Sequence, residues 1–148
     1  MGGVPYWYFV AYENDVNNAL QTLREREFEA GRYHPALRFP VFPVTENSPR
    51  PGARHRSIDA ALDASKEDGT RSILDIKAVG PPPVHHGVAV PLSTHALESL
   101  YATAVPTRQM VEDNMDFFND IDRGECIYFT VYKDGQPDEL FFAGYSYD

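Results

Sequence analysis

The stretch CIYFTVYKDGQPDELFFAGYSYD, residues 126–148, decides the fold. Two runs rich in aromatic and β-branched residues flank KDGQPDE, and Asp134-Gly135 is a strong hairpin-turn signal. The chain is therefore expected to close as a β-hairpin. Working back from it, TRQMVEDNMDFFNDIDRG (residues 107–124) repeats apolar side chains at helical spacing, and Pro106 suits a first turn. This predicts a long helix of some four turns ended by Gly124. Ser93 or Thr94 caps a further helix containing Leu97, Leu100 and Tyr101. VAVPL before it reads as a short edge strand limited by Pro91, and PPPVHHG as a loop.

In TRSILDIKAV (residues 70–79), Leu74, Ile76 and Ala78 alternate with Asp75 and Lys77, which predicts a strand. Ser57 caps a short helix with Ile58, Ala61 and Leu62 inward, closed by Gly69. At the N-terminus, PYWYFVAY (residues 5–12) reads as a strand. Asn14 or Asp15 then caps a helix through Val16, Ala19, Leu20, Leu23 and Ala30 that Gly31 stops. Residues 32–56 are dense in proline without periodicity, so they should form an extended segment wrapping the surface, with Phe39, Val41 and Phe42 pinned to the body.

The resulting order, β-α-α-β-β-α-α-β-β, does not alternate as a doubly wound sheet does. It implies one globular α+β domain over residues 1–148: a mainly antiparallel sheet of four or five strands, helices packed on one face, and the C-terminal hairpin. With 43% hydrophobic and 13% aromatic residues the chain is too apolar for a disordered tail, and it holds no run long enough to span a membrane. Cys126 is the single cysteine, which excludes an internal disulfide. With no basic n-region before the first apolar run, a cytoplasmic location is expected.

Thirteen basic against twenty-two acidic side chains give a net charge of −9. That field repels phosphate backbones, and prolines scatter the five arginines between Arg32 and Arg56, so nucleic-acid binding is disfavoured. A basic protein partner is the natural counterpart of such a charge, although acidity also serves solubility.

Two polar residues intrude on apolar helix faces. At about 100° per residue with Val16 at zero, Leu20 falls near 40°, Leu23 near −20° and Glu27 near 20°, inside the stripe. A carboxylate there must be paired, hydrogen-bonded, protonated or at the lip of a cavity. Arg24 could satisfy it from the same helix, an arginine of the Pro-rich segment could do so across the core, or Glu27 could be a site residue. Asn114 lies similarly within the stripe of the long helix, where an amide usually bonds to neighbouring backbone.

No nucleophile or phosphate-loop motif occurs, and His85 beside His86 lacks metal-ligand spacing, so neither metal nor cofactor is expected. Cys126 beside Glu125 makes a poor nucleophile. What remains is surface: Asp120, Asp122 and Glu125, joined by Asp134, Asp138 and Glu139, suggest an acidic docking patch. Tyr6, Tyr8 and Tyr12, Tyr128 and Tyr132, and Tyr145 and Tyr147 suggest tyrosine faces on the first, penultimate and last strands. The expected function is an acidic interaction module that binds and inhibits a basic protein, of the immunity or regulatory type. The alternative is a small enzyme or ligand-binding domain with a pocket around Glu27.

Overall fold

A computed structural model describes residues 3–37 and 43–147. The elements run β1 (Pro5–Ala11), α1 (Val16–Ala30), β2 (Val44–Thr45), α2 (Ile58–Ala64), β3 (Ala78–Val79), β4 (Val88–Pro91), α3 (Thr94–Tyr101), α4 (Arg108–Asp113), β5 (Cys126–Lys133) and β6 (Gln136–Tyr145). They form an α+β fold around one six-stranded sheet of order β2-β1-β6-β5-β4-β3. β1, β6 and β5 are antiparallel, whereas β2 joins β1 in parallel and β5, β4 and β3 are mutually parallel. The expected mainly antiparallel sheet of four or five strands is thus corrected to a mixed sheet of six. The added strand, β2, sits in the proline-dense segment, which periodicity could not resolve. Phe39, Val41 and Phe42 lie outside the described residues.

Helices cover both faces of the sheet rather than one. Tyr6, Tyr8, Cys126, Leu140 and Phe142 pack against Ala19, Leu20 and Leu23 of α1, with Ile73 and Ile76. The alternate residues Phe9, Ile127, Phe129, Val131 and Phe141 pack against Leu97 and Tyr101 of α3, Val111 of α4, and Phe117. The strands' own composition explains this. YWYFV, IYFTV and LFFA are near-continuous apolar runs, which a sheet with one wet face would not carry.

Two elements depart from the sequence reading for the same reason: side chains take backbone hydrogen bonds locally. Residues 70–79 form no long strand. Asp75 accepts from the Thr70 amide and hydroxyl at 2.9 and 2.8 Å, Ser72 caps a 3-10 turn at Ile73–Asp75, and only Ala78–Val79 is extended. The long helix is likewise split. α4 stops after Asp113, Asn114 is extended, and a 3-10 turn at Asp116–Asp120 completes the stretch. The Asn114 amide donates to the Leu100 carbonyl at 3.1 Å, its oxygen accepts from the Asp116 N–H at 2.9 Å, and its own carbonyl accepts from Tyr101 at 2.7 Å. The amide in the stripe is a staple between α3 and α4.

Candidate functional site

α1 starts where Asp15 caps the Asn18 N–H and ends where Gly31 turns left-handed at φ 76°. That reversal sends Arg32 back along the helix. Glu27, fully buried, accepts the Arg32 Nε at 2.7 Å on one oxygen, and the Arg32 Nη2 at 2.8 Å and the Arg26 Nε at 2.9 Å on the other. Arg32 opens the proline-dense segment, but it pairs locally, five residues on from Glu27 around the helix end, rather than across the core. Arg24 instead donates to the Leu74 carbonyl and Gln21, both at 2.9 Å. The hydrogen bond to Glu27 raises the Arg32 pKa. Beside the pair, burial and the Glu27 charge push the Tyr8 hydroxyl far above its ordinary value. The carboxylate is saturated by three charge-assisted bonds and has no solvent contact.

The tyrosines separate. Tyr6 and Tyr8 are fully buried beneath α1, and among the described residues neither hydroxyl has a hydrogen-bond partner. The Cys126 thiol and the Ile73 backbone bias their titration but fall outside hydrogen-bond geometry. Tyr12 is half-buried and donates to Asn14 at 3.0 Å. Tyr145 lies on the opposite face from Tyr128, its ring 5.0 Å from that of Phe118. Tyr147 stands edge-on to His86 over Gly69 and Gly124. Cys126 is fully buried and its thiol is pushed up to about 12 by desolvation, which makes it inert.

The acidic residues also divide. The eight residues of β5 extend over about 26 Å, so Asp120, Asp122 and Glu125 sit at one end of the hairpin and Asp134, Asp138 and Glu139 at the other. Glu125 accepts the Asp122 N–H at 2.7 Å within a turn. Glu139 is paired with Arg108 at 2.9 Å, and the Arg108 guanidinium lies 3.9 Å from the centre of the Phe9 ring. Asp120, Asp122, Asp134 and Asp138 are exposed.

Tyr128 and Tyr132 remain together, half-buried on one face of β5. Between them the sheet has an opening. β4 ends at Pro91 opposite Tyr128, where the Leu92 N–H donates to the Tyr128 carbonyl at 2.9 Å; four residues on, the Tyr132 N–H donates to the Pro106 carbonyl at 2.8 Å. The Thr130 N–H and C=O face the same edge by strand alternation, and among the described residues no backbone group opposes them. Thr130 also lines a notch of about 210 Å³, whose other walls include Pro91, Leu92, Leu97, Ala104, Tyr128 and Tyr132. No residue pattern pointed to Thr130 or Ala104; the one signal was Pro91, where β4 ends.

Among the described residues, no group of three or more His, Cys, Asp or Glu side chains could hold a metal ion, and no helix is long and apolar enough to cross a membrane. No protein-family model, curated protein or solved structure matches this chain.

Proposed function

We propose that this chain is an interaction module that binds a basic protein partner at the hairpin end of its sheet, as an immunity-type or regulatory inhibitor does. The observation that carries this reading is the opening at Thr130, a half-buried residue whose backbone donor and acceptor meet no backbone partner among the described residues, between two half-buried tyrosines. Tyrosine offers contact area with a polar tip, at little entropic cost on ordering. A lysine or arginine reaching into the notch would lay its stem along the Tyr128 and Tyr132 rings and donate to the Thr130 carbonyl. Exposed Asp134 and Asp138 at the same end of the hairpin, within a chain of net charge −9, favour the approach of a cation.

The alternative, a pocket around Glu27, has less support, because that carboxylate already accepts three arginine hydrogen bonds and is fully buried. The test is affinity capture from native lysate at low and high salt, with the wild type beside a Tyr128→Ala/Tyr132→Ala variant of matched melting temperature. A stoichiometric basic partner, held by the wild type at low salt and lost from the variant, is the expected result. Equal capture by both proteins, or none by either, would overturn the assignment.

A further inference from the structure

The proline-dense segment carries a feature that the net charge conceals. Residues 49–56, PRPGARHR, place Arg50, Arg54 and Arg56 in solvent. Among the described residues none of the three makes an ion pair, whereas Arg26, Arg32 and Arg108 all do. Asp59, a nearby acid in sequence, acts on Arg24.

The segment's backbone is held in place. The Gly52 N–H donates to the Ala30 carbonyl at 2.9 Å, and Gly52 lies so close over Gly31 that neither a side chain nor a water fits between them. Two residues on, the Tyr33 hydroxyl accepts the Arg54 N–H at 3.1 Å and shares a hydrogen bond with His55 Nδ1 at 2.8 Å, from a ring stacked on Phe28. His55 is thereby turned inward, and Arg54 and Arg56 on either side of it are turned out. Holding the backbone lowers the entropy lost when the guanidiniums engage a ligand.

We propose that residues 49–56 form a docking surface for a carboxylate-rich peptide segment of a partner protein. Guanidinium forks match carboxylates bidentately, and three of them suit a short acidic run. A nucleic acid fits less well. The net charge of −9 opposes either polyanion, and three phosphate contacts give a salt slope of only about −2.7. The large exposed apolar side chains among the described residues are Val105, Met110 and Tyr147, so the segment offers no aromatic platform for bases. This inference is independent of the hairpin-end reading, since it concerns different residues and the opposite charge.

The experiment is an NMR titration of the full chain with deca-glutamate at low salt, with a single-stranded oligonucleotide of equal charge in parallel. The expected result is saturable shifts of the Arg50, Arg54 and Arg56 Nε–H signals on deca-glutamate, reversed by salt and weaker with the oligonucleotide. An Arg50→Gln/Arg54→Gln/Arg56→Gln variant should keep its melting temperature and bind the peptide at least threefold more weakly. Arg54→Gln alone serves if the triple variant does not fold. Absence of shifts, a smaller loss in the variant, or tighter binding of the oligonucleotide would each overturn the proposal.

Discussion

Replacing Glu27 by glutamine separates a buried ion pair from a site residue. The amide keeps the volume but puts its two donors where a carboxylate accepted three N–H groups, so at least one guanidinium N–H of Arg32 is left facing another donor in the core. Arg32 is 6% exposed and cannot turn to water, whereas the Arg26 side chain, at 37%, can, so the Arg26 bond contributes little to the loss. Removing one partner of a buried pair costs about 3 to 5 kcal/mol, a large share of the roughly 5 to 15 kcal/mol that holds a domain folded. At this chain length each kcal/mol moves the melting temperature by about 2 to 4 °C, so Glu27→Gln should melt roughly 6 to 20 °C below the wild type in calorimetry. The double variant Glu27→Leu/Arg32→Leu removes both charges and should recover most of the loss. A Glu27→Gln protein that melts within about 2 °C of the wild type would refute the reasoning and return Glu27 to the list of site residues.

Asp75 gives a pH signature. Burial raises its pKa, against the Thr70 hydrogen bonds that lower it. A carboxyl whose folded value lies above its unfolded one contributes stability below the unfolded pKa and loses it as pH rises through the folded one. Urea melts at about pH 3 and pH 7 should therefore find Asp75→Asn further below the wild type in acid than at neutrality; an equal gap would contradict the assignment. Gly31→Ala forces a Cβ into the Gly52 carbonyl at a left-handed backbone position, and should cost about 2 to 4 kcal/mol in chemical denaturation. Asn114→Ala removes the bonds to Leu100 and Asp116 and should cost about 1 to 2 kcal/mol by the same assay, with a loss below about 0.5 kcal/mol denying the staple between α3 and α4.

What the sequence made legible was whatever local physics decides. The strand before Ala11, the Asp15, Ser57 and Ser93 caps, the Gly31 stop and the hairpin at Asp134-Gly135 all form as the residues dictate. Glu27 was legible as an anomaly because the wheel places it among Leu20 and Leu23. Its partners were not: Arg32 reaches it only through the left-handed turn at Gly31, Arg26 bonds it from the neighbouring position, and Arg24, closer in helix phase, bonds the Leu74 carbonyl instead. Residues 70–79 and the long helix misled for one reason. Asp75, Ser72 and Asn114 sat at positions the periodicity allowed, while their side chains bonded the backbone and stopped the element. The acidic and tyrosine sets failed to converge because strand alternation and an eight-residue strand length, not composition, decide which side chains share a surface.

Side chains block the sheet's perimeter elsewhere, and α1 supplies most of them. With Val16 at zero, Asn17 and Gln21 lie at about 100° and 140° and Arg26 at about −80°, on opposite flanks of the apolar stripe. The first flank meets β3: Asn17 accepts the Val79 N–H at 3.3 Å and Gln21 donates to the Lys77 carbonyl at 2.9 Å. The other meets β1 beyond the end of β2, where Arg26 donates to the Phe9 carbonyl at 3.3 Å and Glu46 accepts the Phe9 N–H at 3.0 Å. β2 is closed by Ser48, whose hydroxyl takes the Thr45 N–H at 2.9 Å. Unpaired strand edges invite association, and this chain blocks them with side chains at three separate places. Against that pattern, the Thr130 N–H and C=O, for which no backbone partner stands among the described residues, are the exception, and that contrast is why the proposed partner site is placed there.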